Sequence, residues 1–263
     1  MAQTVDDMPP PSRLVRVIGR LDIKGPNVIK GVHLEGLRVV GDPGEMARTY
    51  YAKGIDELLY MDAVASLYER NSILPLVQAA AREVFVPLTV GGGIRSLNDI
   101  QAALGSGADK VAINTAALRN PEFIDEAAQA FGSQCVVLSV EAKRRTQGWE
   151  ALVDSGRERT GRDVVEWGIE AVRRGAGELL VTSVDNEGTR AGFDHDLFHA
   201  VQSAVSVPVI GCGGAGSTDD LVQAFKQDEL EAVAVASLLH YELASVREMK
   251  QALIAHGVGV RTC

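Results

Sequence analysis

Two glycine-rich stretches and two carboxylates carry the chemistry that residue type and spacing disclose. Leu88-Thr-Val-Gly-Gly-Gly-Ile94 ends a short apolar run in three glycines, and a helical pattern starts at Ser96. Backbone N–H groups that converge where a strand gives way to a helix form an anion site, because no side chain blocks the approach and the helix N-terminus is partly positive. Pro208-Val-Ile-Gly-Cys-Gly-Gly-Ala-Gly216 repeats the device 121 residues later. Two such sites point to a ligand with two phosphates. One site comprises Gly92 and Gly93, then Asn114-Thr115; its image comprises Gly213 and Gly214, then Ala236-Ser237. The second stretch superficially fits a dinucleotide fingerprint, but it lacks the acidic ribose-binding residue and has a twin, so no NAD or FAD is expected. Asp22 and Glu141, each ending an apolar run, are the acid/base candidates; capping of a strand end is the plainer reading of both. Lys24 and Lys143 follow them by two and either neutralise ligand charge or are solvated. Lys30, in Val28-Ile-Lys-Gly31, is placed to reach a substrate, and Asp62 is as readily structural as functional.

Positioning these groups falls to an alternation of short apolar runs and longer amphipathic ones. Strands are predicted near 14–22, 57–62, 86–90, 110–114, 135–141, 178–183, 207–212 and 232–236. Helices are predicted near 43–53, 70–83, 96–106, 121–131, 162–174, 194–204, 217–227 and 242–255. Eight β-then-α units imply an all-parallel sheet, and 263 residues, 46% of them hydrophobic, suit closure into a single (β/α)8 TIM barrel over 13–263. Residues 1–12 are polar and Pro-rich and read as a disordered extension, not a signal peptide. Gly54-Ile-Asp-Glu-Leu-Leu59 is echoed by Gly175-Ala-Gly-Glu-Leu-Leu180 at the offset of the glycine stretches, and Ala108–Thr115 by Leu230–Ser237 one residue further on. The chain therefore reads as two duplicated half-barrels. Asp22 and Glu141 end strands one and five, which are diametrically opposed. The two phosphate sites flank them at the C-terminal mouth, where barrel enzymes place their chemistry.

Strand parity adds an unusual interior. If Asp22 faces the barrel axis, so do Arg20 and Arg16. Arg16 then lies at the bottom with Glu57, Lys110 and Glu178, the first charged residues of strands two, four and six. Two cations and two anions there form either a closed ring or ordinary solvated strand ends.

Bulk properties narrow the partners. A net charge of −9 argues against nucleic acid, and no apolar run reaches membrane length. Three scattered cysteines, with no CxxC pair, suit a reducing, cytoplasmic setting. Five histidines show no zinc-ligand spacing, and neither a metal nor a cofactor is expected.

From about Leu14 to Arg261 the chain resembles the cyclase (synthase) subunit family of imidazole glycerol phosphate synthase. The resemblance is carried by Leu21-Asp-Ile-Lys24 with Val28–Gly31, Gly41-Asp-Pro43, Thr89–Ile94, Gly107–Val111 with Ile113–Ala116, Phe131-Gly-Ser-Gln134, Arg174–Leu179, Asp185–Thr189 and Gly213–Gly216. The isomerase of the preceding step shares the duplicated barrel, but Phe131–Gln134 and Arg174–Thr182 fit the cyclase better. The resemblance implies a heterodimer with a glutaminase (glutamine amidotransferase) subunit docked on the N-terminal face. Ammonia released there would pass a gate of Arg16, Glu57, Lys110 and Glu178, with Asp109 touching the partner, and travel up the barrel past Arg20. It would meet a ribulosyl aminoimidazole carboxamide bisphosphate and give imidazole glycerol phosphate and a carboxamide nucleotide. Asp22 and Glu141 match the catalytic pair, and Lys30, Thr182, Glu187 and Gly188 join the phosphate and substrate contacts.

The match departs at informative places. The second catalytic aspartate of the family is Glu141 here, a small residue, often Cys, is Arg20, an acidic residue, commonly Asp, is Glu187, and one residue is inserted near Asp228–Leu230. An extra methylene moves a carboxylate by about 1.5 Å, and misplacement near 1 Å can cost roughly a hundredfold in rate. Inward Arg20 and lengthened Glu141 are expected to compensate as an ion pair across the axis. The departures also fit a paralogous glutaminase-coupled barrel that forms an amidine on a sugar for surface polysaccharides. A non-catalytic activator of a glutaminase is a third reading, opposed by the intact phosphate loops.

Overall fold

A computed structural model describes residues 14–65 and 73–262. The predicted disorder of 1–12 and the start of the helix expected at 70 lie outside the described residues. Eight parallel strands close on themselves. In barrel order they are β1 (Leu14–Lys24), β4 (Glu57–Asp62), β5 (Leu88–Gly91), β6 (Lys110–Ile113), β7 (Val136–Arg144), β10 (Glu178–Ser183), β11 (Val209–Cys212) and β12 (Ala232–Val235). Closure is made by β12 against β1, with Arg16 beside Ala232 and Gly19 beside Val235. The expected (β/α)8 barrel is thus the observed one, and each predicted strand has its counterpart within a few residues.

The strands close because both of their faces are apolar. Outward residues such as Val17, Leu21, Leu58, Val111, Leu138, Val140, Leu179 and Val233 form one continuous core with the helices. Inward Ile18, Leu59, Ala112, Val137, Leu180, Ile210, Ala232 and Ala234 form a second, smaller core inside the barrel. The helix layer comprises α1 (Pro43–Ala52), α2 (Leu74–Ala80), α3 (Leu97–Gly105), α4 (Thr115–Arg119), α5 (Glu122–Phe131), α6 (Val164–Arg173), α7 (His195–Gln202), α8 (Thr218–Gln227), α9 (Ser237–His240) and α10 (Val246–Ala255). Side chains of Asp42, Ser96, Asp163, Asp194, Ser217 and Ser245 cap the backbone N–H groups that begin six of these helices. The residue inserted near Asp228–Leu230 falls in the turn from α8 to β12, where Glu229 adopts a left-handed φ of 54°.

Two antiparallel hairpins were not expected. β2 (Asn27–Val32) and β3 (Glu35–Gly41) rise from β1, and β8 (Trp149–Val153) and β9 (Glu158–Asp163) rise from β7. They occupy equivalent places in the two halves. Ile29 pairs with Asp22, and Leu152 pairs with Glu141, so each carboxylate sits where a barrel strand turns into a hairpin. A short strand β13 (Gly259–Val260) lies beside Leu14 and Val15 at the opposite end of β1.

Candidate active site

The mouth of the barrel opens into a cavity of about 340 Å³. Asp22 from β1 and Glu141 from β7 line it together, each buried to 8% exposure. Opposition of strands one and five places them there, as the duplication predicts. Gly92, Gly93, Asn114 and Thr115 line the same cavity on the first-half side. Gly188, Gly213, Gly214, Ala236 and Ser237 line a smaller recess on the second-half side, shared with Lys30 and Glu187. Gly92 has φ +89°, and an added Cβ would lie 2.3 Å from the Asp62 carbonyl oxygen. Gly214 has φ +111°, and its Cβ would lie 2.0 Å from the Gly192 carbonyl oxygen. Both cradles therefore need glycine for conformation and for space.

The two carboxylates differ in charge. Burial alone would raise both. At Asp22 the Arg20 guanidinium and the Lys30 ammonium outweigh burial and hold the carboxyl below the usual carboxylate range. At Glu141 burial prevails over the weaker pull of Arg20 and pushes the carboxyl up to about 7. Environments that push two acids apart mark the ionised member as a base and the protonated member as an acid. Burial also lowers the Lys30 ammonium, against the pull of Asp22.

Arg20 points inward, as parity predicts, but its partner is not the expected one. Its Nε donates to Asp22 Oδ1 at 2.8 Å, and Nη1 donates to Thr182 Oγ1 at 3.0 Å and to Cys212 Sγ at 3.3 Å. Glu141 instead accepts from Asn114 Nδ2 at 3.1 Å. The expected Arg20–Glu141 pair across the axis is thus replaced by Arg20–Asp22. Asp22 lies two residues further along the same strand face, within reach of Nε without spanning the barrel. Thr182, expected among the substrate contacts, lines neither cavity and serves Arg20 from below.

The hairpin β2–β3 folds back onto the second-half loop. Lys30 Nζ bonds Glu187 in a fully buried pair. The His33 N–H donates to the Glu187 carbonyl oxygen at 2.8 Å, and His33 Nδ1 lies 3.0 Å from the Val184 carbonyl oxygen. Glu187 meets Lys30 where the second recess adjoins the main cavity, and both residues line the two. Sequence reasoning did not single out Ser139, Arg95, Arg119, Asp154 or Arg157, all of which line the main cavity. Parity could have found Ser139, two residues before Glu141. The others sit on loops and a helix that no periodicity aims.

At the other end of the barrel the ring is closed. Arg16 Nη1 donates to Glu57 at 2.8 Å and Nη2 to Glu178 at 2.5 Å. Lys110 Nζ donates to Glu178 at 2.8 Å and to Glu57 at 3.5 Å. The four residues alternate in sign, and each glutamate is held by both cations, so solvated strand ends do not describe them. Asp109 is exposed beside the ring, with one oxygen accepting from the Leu88 N–H at 2.8 Å. Among the described residues no cluster of His, Cys, Asp and Glu suits a metal ion, and no helix is long and apolar enough to cross a membrane.

Fold and site together define a (β/α)8 barrel of duplicated halves with two buried carboxylates lining the cavity at its C-terminal mouth. The histidine biosynthesis protein family model matches residues 16–245, and the chain belongs to that family. It is 61% identical over 207 residues to the imidazole glycerol phosphate synthase subunit HisF of Legionella pneumophila, a match covering 78% of this chain and 98% of that one. It is 47% identical over 248 residues to the protein of the same name from Lactococcus lactis subsp. cremoris (strain MG1363), covering 94% and 96%. A third relative of that name, from Nostoc sp. (strain PCC 7120 / SAG 25.82 / UTEX 2576), is 46% identical over 250 residues, covering 94% and 96%.

Proposed function

We propose that the chain is the cyclase subunit of an imidazole glycerol phosphate synthase, working in the cytoplasm with a glutaminase subunit on its N-terminal face. It uses ammonia to convert a ribulosyl aminoimidazole carboxamide bisphosphate to imidazole glycerol phosphate and a carboxamide nucleotide. The observation that carries this reading is one cavity lined by two buried carboxylates, Asp22 held low by Arg20 and Lys30 and Glu141 pushed up to about 7, with one glycine cradle in its wall and the other in the adjoining recess. A bisphosphate seated on Gly92–Gly93 and Gly213–Gly214 has its middle between the two acids. Asp22 takes a proton as ammonia adds, and Glu141 delivers one as the ring closes and the nucleotide leaves. Arg16, Glu57, Lys110 and Glu178 form the ammonia gate, with Asp109 against the partner. Lys30 contacts substrate phosphate after leaving Glu187.

Ammonium salt and the bisphosphate, followed by loss of substrate absorbance, test this. Wild type should turn over, and Asp22→Asn should lower kcat by at least roughly a hundredfold, the scale of a lost acid/base. Wild type that leaves the bisphosphate untouched sinks the reading. The second reading, an amidine-forming paralogue acting on a sugar, is favoured by one observation: Arg20 fills the interior beside Asp22. Turnover gained only in the Arg20→Cys, Glu141→Asp double variant would select it. Glutaminase activation by substrate, with no product formed, would select a non-catalytic activator.

A further inference from the structure

A guanidinium lies in the wall of the cavity, where apolar side chains usually fill a barrel. Arg20 is 4% exposed and touches Cys212 of the inner apolar cluster. An arginine cannot shed its proton, so this charge is fixed and each N–H seeks an acceptor. The single Nε–H goes to Asp22 Oδ1, and Nη1 donates to Thr182 Oγ1 and Cys212 Sγ. Thr182 on β10 and Cys212 on β11 are register partners, so the two anchors stand side by side as one buried fork. Arg20 is thereby held at its far end by two strands and at its stem by β1.

The clamp leaves Asp22 asymmetric. Oδ1 is taken, whereas no described residue hydrogen-bonds Oδ2. Oδ2 is not one of the fully buried atoms that lack a partner, so it keeps accessible surface. The side chain lines the cavity with 12% of its surface open. Lys30 from β2, His240 from α9 and Glu141 from β7 are the other titratable groups facing Asp22, and none of these described residues hydrogen-bonds it. Lys30 is held by Glu187, and burial pushes His240 down to about 4, so that imidazole is neutral near pH 7. Orientation of Asp22 therefore falls to Arg20.

We propose that Arg20 is a positioning residue for Asp22: anchored on the Thr182–Cys212 fork, it clamps Oδ1 and presents Oδ2 to the substrate as the oxygen that takes the proton. This rests on the proton-accepting role given to Asp22 above. In that step an N–H bond of the adding ammonia breaks, its electron pair stays on nitrogen, and the proton bonds Oδ2; Arg20 keeps all of its own. A carboxylate free to turn about Cβ–Cγ offers either oxygen in many directions, whereas one held at Oδ1 offers the other in a single direction. The same fixed charge reaches Glu141 through space, opposing the burial that raises its carboxyl.

Steady-state kinetics with ammonium salt and the bisphosphate read the clamp. Arg20→Lys keeps the charge, but an ammonium cannot reproduce the planar contacts. Its kcat should fall by up to roughly a hundredfold, with the bisphosphate KM and the acid limb of the pH profile near those of wild type. Arg20→Cys also removes the cation that keeps Asp22 ionised, so the acid limb of kcat/KM should move up by about one to three pH units. Thr182→Val removes one anchor and no charge. It should lower kcat severalfold, an effect that vanishes in the Arg20→Cys background, and it carries the test should the Arg20 variants fail to fold. Unchanged kcat in Arg20→Lys and Thr182→Val, a raised bisphosphate KM at unchanged kcat, or faster turnover in Arg20→Cys overturns the proposal. The Asp22 carboxyl resonance in carbon-13 aspartate-labelled protein, assigned with Asp22→Asn, gives an arm that needs no substrate. Its titration should move up by the same amount from wild type to Arg20→Cys, and an unmoved titration overturns the clamp. Should wild type leave the bisphosphate untouched, the reading of function has failed, and the resonance alone decides whether Arg20 holds Asp22.

Discussion

Glu141 is an acid of the cavity whose protonated form the fold favours, because burial outweighs the pull of Arg20. Its carboxyl titrates at about 7 in the folded chain, against the 4.5 of an ordinary glutamate. A group raised on folding contributes stability that is complete below the unfolded value and is lost as pH rises through the folded one. Glu141→Gln removes that loss. We expect the variant and wild type to be equally stable near pH 4. At pH 8 the variant should be the more stable by on the order of 3 kcal/mol, read as urea midpoints at the two pH values. Equal midpoints at pH 8 would show that Glu141 is not held protonated. With free ammonia held constant, kcat should also fall as pH rises through about 7, because the acid loses its proton. Parity along β1 told which way Arg20 faces, and that was legible because side chains on a strand alternate. Its partner was not legible. Facing is a property of the backbone, whereas the choice between Asp22 and Glu141 is set by reach along rotatable bonds.

Within the hairpin β2–β3, β2 is anchored in the core by Val28 and Ile29 and paired to β1, but its outer strand β3 owes its position to few contacts. Val32, Leu37 and Val39 are exposed, and β3 has no buried residue. Lys30 and His33 hold it to the loop bearing Glu187. Removing the carboxylate by Glu187→Ala leaves the Lys30 ammonium buried without its partner, and the outer strand should detach locally. Hydrogen–deuterium exchange should then rise across β3 while the barrel strands keep wild-type protection. Unchanged exchange there would show that the hairpin is held by other contacts. The hairpins escaped sequence analysis for a related reason. A strand with one face in the core announces itself by alternation, but β3 and β9 bury neither face fully. What signal they carry is in turns such as Asp154-Ser-Gly156, where three successive residues take positive φ. The eight barrel strands were legible because they bury both faces and read as apolar runs.

Across the whole molecule the net charge of −9 lies outside the ring at the bottom, which sums to zero. A neutral ring of fixed charges can sit in an apolar shaft with less penalty than any of its members alone. Lys110→Met leaves Arg16 facing two glutamates. Stability should fall by on the order of 1–3 kcal/mol, less than for a fully buried pair because Lys110 reaches solvent. If the ring is the gate, glutamine-driven turnover in the complex should fall severalfold while turnover with ammonium salt is kept. A proportionate fall in both would remove the gate reading.

The short strand β13 has a consequence for how the chain could be written. Gly259 and Val260 lie beside Leu14 and Val15, so the two described ends of the barrel meet at its base. The halves also divide cleanly between α5 and β7, where Gly132 breaks the helix at φ 87°. A circular permutant that begins at Val136 and runs through a short joint from Val260 to Leu14 keeps every strand beside its present neighbours. In such a chain first and second half lose their meaning, and the sequence becomes as cyclic as the sheet.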